Sequence, residues 1–282
     1  MNEIGTSQIH EMRTLIEGAF DQTSGASDHT TAHVQEAIRR TIHALDHGQL
    51  KVVEKTAAGF THHEWIKKAI LLHFRVSKMS VIEMGDFRFV DKIPLKKWNG
   101  TEGVRVVPQA LVREGAYISS GAILMPSYVN IGAFVGAGTM VDTWATVGSC
   151  AYVGANVHLS GGVGVGGVLE PIQARPVVIE DNAFVGSRAI IVEGVHIEEG
   201  AVIGAGVTIT GSTKIIDVTG AQAVVYKGRV PKNSVVIPGT TPKEFACGTY
   251  GVPCALIIGQ RKASTNQKTS LTDALREFDV AT

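Results

Sequence analysis

Asp142, His158 and Arg105 are the central side chains whose types suit them to move a proton or hold an anion. A positioned carboxylate or imidazole accepts a proton, and a guanidinium grips a carboxylate through parallel hydrogen bonds. Asp142 follows the aliphatic Val141 where the chain turns, and aspartate is also an ordinary turn residue. His158 follows Val157 and can act as a base, face solvent or meet a neighbouring subunit. Arg105 taken alone is a solvated charge as readily as a ligand. Ser160, Gly161 and Gly162 can bring backbone groups close to a ligand, although plain corner glycines account for them almost as well. Cys150 has no base nearby in sequence to activate it and reads as a packed small residue.

These residues sit inside a six-residue beat. Aliphatic anchors recur at Val112, Ile118 and Leu124, slip by one, and continue at Val129, Val135, Val141, Val147, Val153, Leu159 and Val165. The stretch from about Gly167 to Val178 breaks the register, and the beat resumes at Ile179, Val185, Ile191, Ile197, Ile203 and Ile209. Four residues after most anchors comes a small or β-branched residue such as Ala116, Ala133, Ala145, Ala183 or Ala201. The position directly after the anchor is often Gly, Asn, Asp or Ser, which predicts corners with left-handed backbone angles there. Such a pattern describes a solenoid of short strands with a narrow interior shared by large anchors and small residues. The irregular stretch is then a loop extruded from the solenoid, either a tolerated surface insertion or part of a binding wall.

Before the repeats, residues 1–104 read as a mixed helical and strand unit. Helical spacing covers His10 to Phe20, Thr31 to His47 and His63 to Val76, with strand candidates at Leu50 to Lys55 and Met79 to Met84, and Ser24 to Ser27 separating the first two helices. The solenoid is assigned to 105–214. Residues 215–282 are expected to form a small strand cap and tail, with strands at Ala223 to Val230, Ser234 to Pro238 and Ala255 to Ile258, and a helix at Ser270 to Glu277.

Lys plus Arg balances Asp plus Glu at 26 each, so the overall field recruits neither nucleic acid nor an anionic membrane. Three cysteines without CxxC spacing argue against a disulfide framework or zinc ribbon. The 32 glycines lie among abundant apolar residues, which excludes disorder as their explanation. Neither a signal peptide nor a membrane span is expected, and a cytoplasmic setting follows.

The beat resembles that of the hexapeptide-repeat proteins. Longer motifs narrow the likeness: Gly103-Val104-Arg105-Val106-Val107-Pro108, Met140-Val141-Asp142-Thr143-Trp144, and Asn156-Val157-His158-Leu159-Ser160-Gly161-Gly162 are similar to those of the tetrahydrodipicolinate N-succinyltransferases. So are Met125 to Gly132, Gly166 to Pro171, Trp65 to Ala69 and Asp91 to Pro94.

This resemblance implies a mainly β fold, a left-handed parallel β-helix with three hexads per coil, preceded by the α/β unit and followed by a small β cap. It implies transfer of succinyl from succinyl-CoA to the amino group of ring-opened tetrahydrodipicolinate on the route to lysine, with no permanently bound cofactor and no metal. The zinc hydratases of the same fold need three converging histidines, whereas the repeats here offer only His158 and His196. The resemblance makes Asp142 the base and a substrate contact, and Arg105 the ligand of a substrate carboxylate. It also implies a homotrimer with active sites between adjacent β-helices. Many relatives carry a second acid where this chain has Ile190, which leaves either Asp142 alone or a substitute from Glu193, with His158 next in line. Arg261 and Lys262 are the candidates for the CoA phosphates.

Overall fold

A computed structural model describes residues 4–22 and 31–261. Ser24 to Ser27, Lys262 and the helix expected at Ser270 to Glu277 lie outside the described residues.

The anchors form the interior of a three-sided coil of two-residue parallel strands. The first face stacks Arg105–Val106, Ile123–Leu124, Met140–Val141, His158–Leu159, Phe184–Val185 and Val202–Ile203. The second stacks Leu111–Val112, Tyr128–Val129, Thr146–Val147, Gly164–Val165, Ile190–Ile191 and Thr208–Ile209. The third runs from Tyr117–Ile118 through Phe134–Val135, Tyr152–Val153, Val178–Ile179 and His196–Ile197 to Arg229–Val230. In each pair the second residue points inward, and the anchors form one continuous buried core with the small residues four positions later. The one-residue slip is absorbed where Met125, Pro126 and Ser127 make a three-residue corner, so the register on both adjoining faces is kept.

The corners differ from the expectation. Left-handed angles fall three residues after the anchor, at Gly132, Gly138, Trp144, Cys150, Asn156, Gly162, Asn182 and Arg188, and not directly after it. The glycines directly after the anchor have another cause: adjacent coils touch there. A Cβ on Gly136 would lie 2.4 Å from the Gly154 carbonyl carbon, and one on Gly148 would lie 2.0 Å from the Gly167 nitrogen.

The first hundred residues contain α1 (Thr6–Gln22), α2 (Ala32–Asp46) and α3 (Glu64–Val76). The Thr31 hydroxyl accepts from the Val34 N–H and caps α2. Each expected strand has a hairpin partner that the sequence pattern does not reveal: Val53–Thr56 pairs with Gly59–His62, and Ser80–Met84 pairs with Phe87–Asp91. Met12, Ile16, Ile38, Ile42, Ile66 and Ile70 share a core with Ile131 and Cys150, so the helices are fused to the edge between the second and third faces. Burial pushes the Cys150 thiol up to about 12, which leaves it inert.

Beyond Thr208–Ile209 the chain forms Ile215–Asp217 and Val224–Tyr226, then two long antiparallel strands, Ser234–Phe245 and Gly248–Gln260. Ser234–Phe245 continues the first face through Val235 and Val236 against Val202 and Ile203. Ala255 and Ile257 join the same apolar interior as the anchors.

Candidate active site on one edge of the coil

Asp142 opens the corner that joins the first face to the second. Its backbone N–H donates to the Leu159 carbonyl oxygen, which locks the residue into the ladder between successive coils. Its Oδ1 accepts from the Thr143 N–H at 2.6 Å and from the Thr143 hydroxyl at 3.2 Å. Oδ2 is turned to the side where His158, one coil further, brings Nε2 to 4.0 Å. The His158 ring stacks on Phe184 of the next coil, centroids 5.2 Å apart, which fixes its plane. Four ångströms is too long for a hydrogen bond. It is wide enough for one nitrogen atom to sit within hydrogen-bonding distance of both groups at once.

Ser160, Gly161 and Gly162 form the next corner on the same edge. The Gly162 N–H donates to the Thr143 carbonyl oxygen, while the Gly161 N–H takes part in no backbone hydrogen bond among the described residues. The coil does not need that donor, because Pro126 occupies the equivalent place two residues after Leu124. Trp144, left-handed at φ 60° and 67% exposed, stands on one side of this bare patch. Arg188 stands on the other.

Arg105 lies on the outer side of the first face, in line with Ile123, Met140 and His158. It is exposed and sits two coil steps from the coil of Asp142, roughly 10 Å at the usual spacing between paired strands.

The fold does not bring Glu193 to this group. It lies on the edge between the second and third faces, where its Oε2 accepts from the Gly211 N–H at 3.1 Å. Ile190, 37% exposed, occupies the outer side of the second face. His196 is on the third face, where its Nε2 lies 2.6 Å from Glu180 Oε1, so it does not converge with His158. Arg261 is committed elsewhere, donating to the carbonyl oxygens of Asn182 at 2.7 Å and Gly200 at 3.4 Å.

The extruded stretch leaves from the same edge as Glu193. Lys67 of α3, only 2% exposed, donates to the carbonyl oxygens of Ile172 and Ala174 at 2.8 Å and of Pro171 at 3.4 Å. Burial lowers its pKa below the ordinary lysine value, while Cys150 and Glu64 oppose that shift. A cavity of about 280 Å³ beside this anchor is lined by His62, His63, Lys67 and Arg175 among others, away from the edge of Asp142. Helical spacing points Trp65, Ile66, Ala69 and Leu72 of α3 inward and gives Lys67 no role, although it lies within the family-like stretch Trp65 to Ala69 and between two buried isoleucines, Ile66 and Ile70. Arg188 closes the stretch Gly186-Ser187-Arg188, which resembles a Gly-Ala-Arg of the family, and the sequence gives it no role of its own; it is a long charged residue at a corner where the neighbouring coils have glycine.

Two family models match parts of this chain. The family described as Tetrahydrodipicolinate N-succinyltransferase N-terminal matches residues 11–76, and that described as Hexapeptide repeat of succinyl-transferase matches residues 176–211. A 2,3,4,5-tetrahydropyridine-2,6-dicarboxylate N-succinyltransferase of Bordetella petrii is 51% identical over 273 residues, covering 94% of this chain and 98% of that protein. One from Proteus mirabilis is 49% identical over 278 residues, covering 96% of this chain and all of that protein. With identity at this level sustained from end to end, and with Asp142, Ser160 and Gly161 gathered on one edge of a hexapeptide coil, the chain belongs to the tetrahydrodipicolinate N-succinyltransferase family of acyltransferases.

Proposed function

We propose that this chain transfers the succinyl group of succinyl-CoA to the amino group of ring-opened tetrahydrodipicolinate, giving N-succinyl-2-amino-6-oxopimelate and CoA. The observation that carries the mechanism is the pairing of Asp142 Oδ2 with His158 Nε2 across 4.0 Å. An ammonium nitrogen between them donates to both. Asp142 takes the proton, and the freed lone pair attacks the thioester carbonyl carbon. A C–N bond forms and the C–S bond breaks. The second proton, shed by the nitrogen as the amide forms, goes to the departing CoA thiolate, and the first passes from Asp142 to solvent, so charge and atoms balance. The unpaired Gly161 N–H is the nearest backbone candidate to stabilise the oxyanion. Arg105 holds a carboxylate of the acceptor.

The exposed Trp144, two residues from Asp142, and Ile190 on the adjoining face support a homotrimer in which a neighbouring subunit covers this edge. The likeness of the hexads supports left-handed winding, with the strands after residue 214 as a β cap. No permanently bound cofactor is required, because succinyl-CoA brings the group that moves. Among the described residues no helix is long and apolar enough to cross a membrane.

Thiol release from succinyl-CoA, measured with and without tetrahydrodipicolinate or L-2-aminopimelate, tests the reaction. Acceptor-dependent release is the expected result. Equal or faster release from acetyl-CoA would instead favour another CoA-dependent acyltransferase.

A further inference from the structure

The cavity of about 280 Å³ between α3 and the extruded loop gathers positive charge in a chain whose charges otherwise balance. His62 and His63 reach it from the end of the hairpin, Lys67 from α3 and Arg175 from the loop, while Glu64 is the one carboxylate in its lining. Lys67 and Arg175 together outweigh Glu64 even when both histidines are neutral.

Three of these cationic groups lack the partner that their chemistry calls for. Lys67, 2% exposed, donates to three carbonyl oxygens, so its hydrogen bonds are met, but it forms no ion pair among the described residues and its charge stays uncompensated. The Arg175 guanidinium makes neither a hydrogen bond nor an ion pair among the described residues. His62 Nδ1 is buried and has no hydrogen-bond partner among them. The charged groups that act on His62 are Arg175, His196, His63 and Lys67, and every one of them disfavours its protonation. His196 and His63 have carboxylates of their own, Glu180 at 2.6 Å and Glu54 at 3.0 Å, and neither carboxylate pairs with His62, Lys67 or Arg175.

The start of α3 adds two further donors beside the cavity. Its N-cap, His63, supplies no side-chain hydrogen bond, and the N–H groups of Glu64 and Trp65 donate to no acceptor among the described residues. The positive end of the helix dipole is therefore uncapped where the basic side chains collect.

We propose that this cavity binds a phosphate-class dianion, held by Arg175, His62 and the free N–H groups of α3, with the buried Lys67 charge behind it. Its volume suits a small tetrahedral anion, since pockets for larger ligands start at about 300 Å³. The site lies away from the edge of Asp142 and does not depend on the succinyl-transfer reading. Because Arg175 belongs to the loop while His62 and α3 belong to the N-terminal unit, the bound anion ties one to the other.

Inorganic sulfate, which stays a dianion across the neutral range, is titrated into the intact protein by calorimetry at fixed ionic strength. One saturable site per chain is expected, about 3- to 10-fold tighter at about pH 5.5 than at about pH 8, because the anion favours protonated His62. Inorganic phosphate should displace the sulfate. Arg175→Gln, at an exposed position, should weaken binding about 10-fold or more, and His62→Gln should remove the pH dependence. Arg105→Ala should leave sulfate binding unchanged. Proteolysis within residues 167–177 should slow when sulfate is bound, and unchanged cleavage would reject the tie between loop and helix. No saturable binding, or binding that survives Arg175→Gln and is lost in Arg105→Ala, would overturn the site.

Discussion

His158 Nε2 stands 4.0 Å from Asp142 Oδ2, while Thr143 holds the other carboxylate oxygen. One oxygen of the carboxylate is thereby tied to the coil and the other is turned toward an imidazole one coil away. Asp142→Asn keeps the Thr143 contacts and the corner preference while removing the basic group. Turnover is expected to fall about 10²- to 10⁴-fold with the far-UV dichroism and assembly unchanged. His158→Gln should lower turnover less, because the first proton acceptor remains. If His158→Gln proves the more damaging of the two, the roles are reversed. Glu193→Gln, on another edge, should leave turnover intact.

Arg105→Ala should raise the acceptor KM far more than the succinyl-CoA KM, since losing a charge-assisted carboxylate contact costs about 1.5 to 3 kcal/mol. Equal damage to both constants would remove Arg105 from the acceptor site.

Lys67 ties α3 to the carbonyl oxygens of Pro171, Ile172 and Ala174. Lys67→Met fills similar volume but leaves those acceptors unpaired, and should cost about 2 to 4 kcal/mol in denaturant unfolding. Proteolysis within residues 167–177 should accelerate in parallel. An unchanged unfolding midpoint would mean that the loop holds itself.

Burial also lowers the pKa of His73 below its ordinary 6.5, and its Nε2 has no hydrogen-bond partner among the described residues. Between the lowered value and 6.5 the unfolded chain binds more protons than the folded one, so stability rises with pH through that window. The unfolding midpoint should therefore drop as pH falls from about 7 toward about 5, with His62, lowered mainly by burial and by Arg175, adding to the slope. His73→Phe should flatten the dependence. An unaltered slope would place the titration elsewhere.

The solenoid is legible in the sequence because its interior admits only one large and one small residue per hexad, a constraint that leaves a mark at every sixth position from Val112 to Ile209 apart from the slip and the extruded loop. The reason for the corner glycines is not legible there. A glycine needed for φ and one needed for close approach look identical in sequence, and only the contact between Gly136 and Gly154 separates the two causes. The hairpin partners Gly59–His62 and Phe87–Asp91 leave little trace because short exposed strands carry little apolar alternation. Asp142 and Arg105 stand out through motifs, but their shared side of the coil depends on stacking register, as does the separation of Glu193 from Asp142. Lys67 matters through partners distant in sequence, which no local pattern encodes.

Both long departures from the hexad, after Val165 and after Ile209, leave from the edge between the second and third faces, where the N-terminal helices also dock through Ile131 and Cys150. The edge of Asp142 carries no insertion at all. A solenoid built this way can lengthen, shorten or exchange its accessories on one flank while the spacing along the other stays set by coil stacking alone. Descendants of such a chain would be free to vary in size without retuning the distances between Arg105, Asp142 and Arg188, and a designer wishing to append a new module has the same flank available.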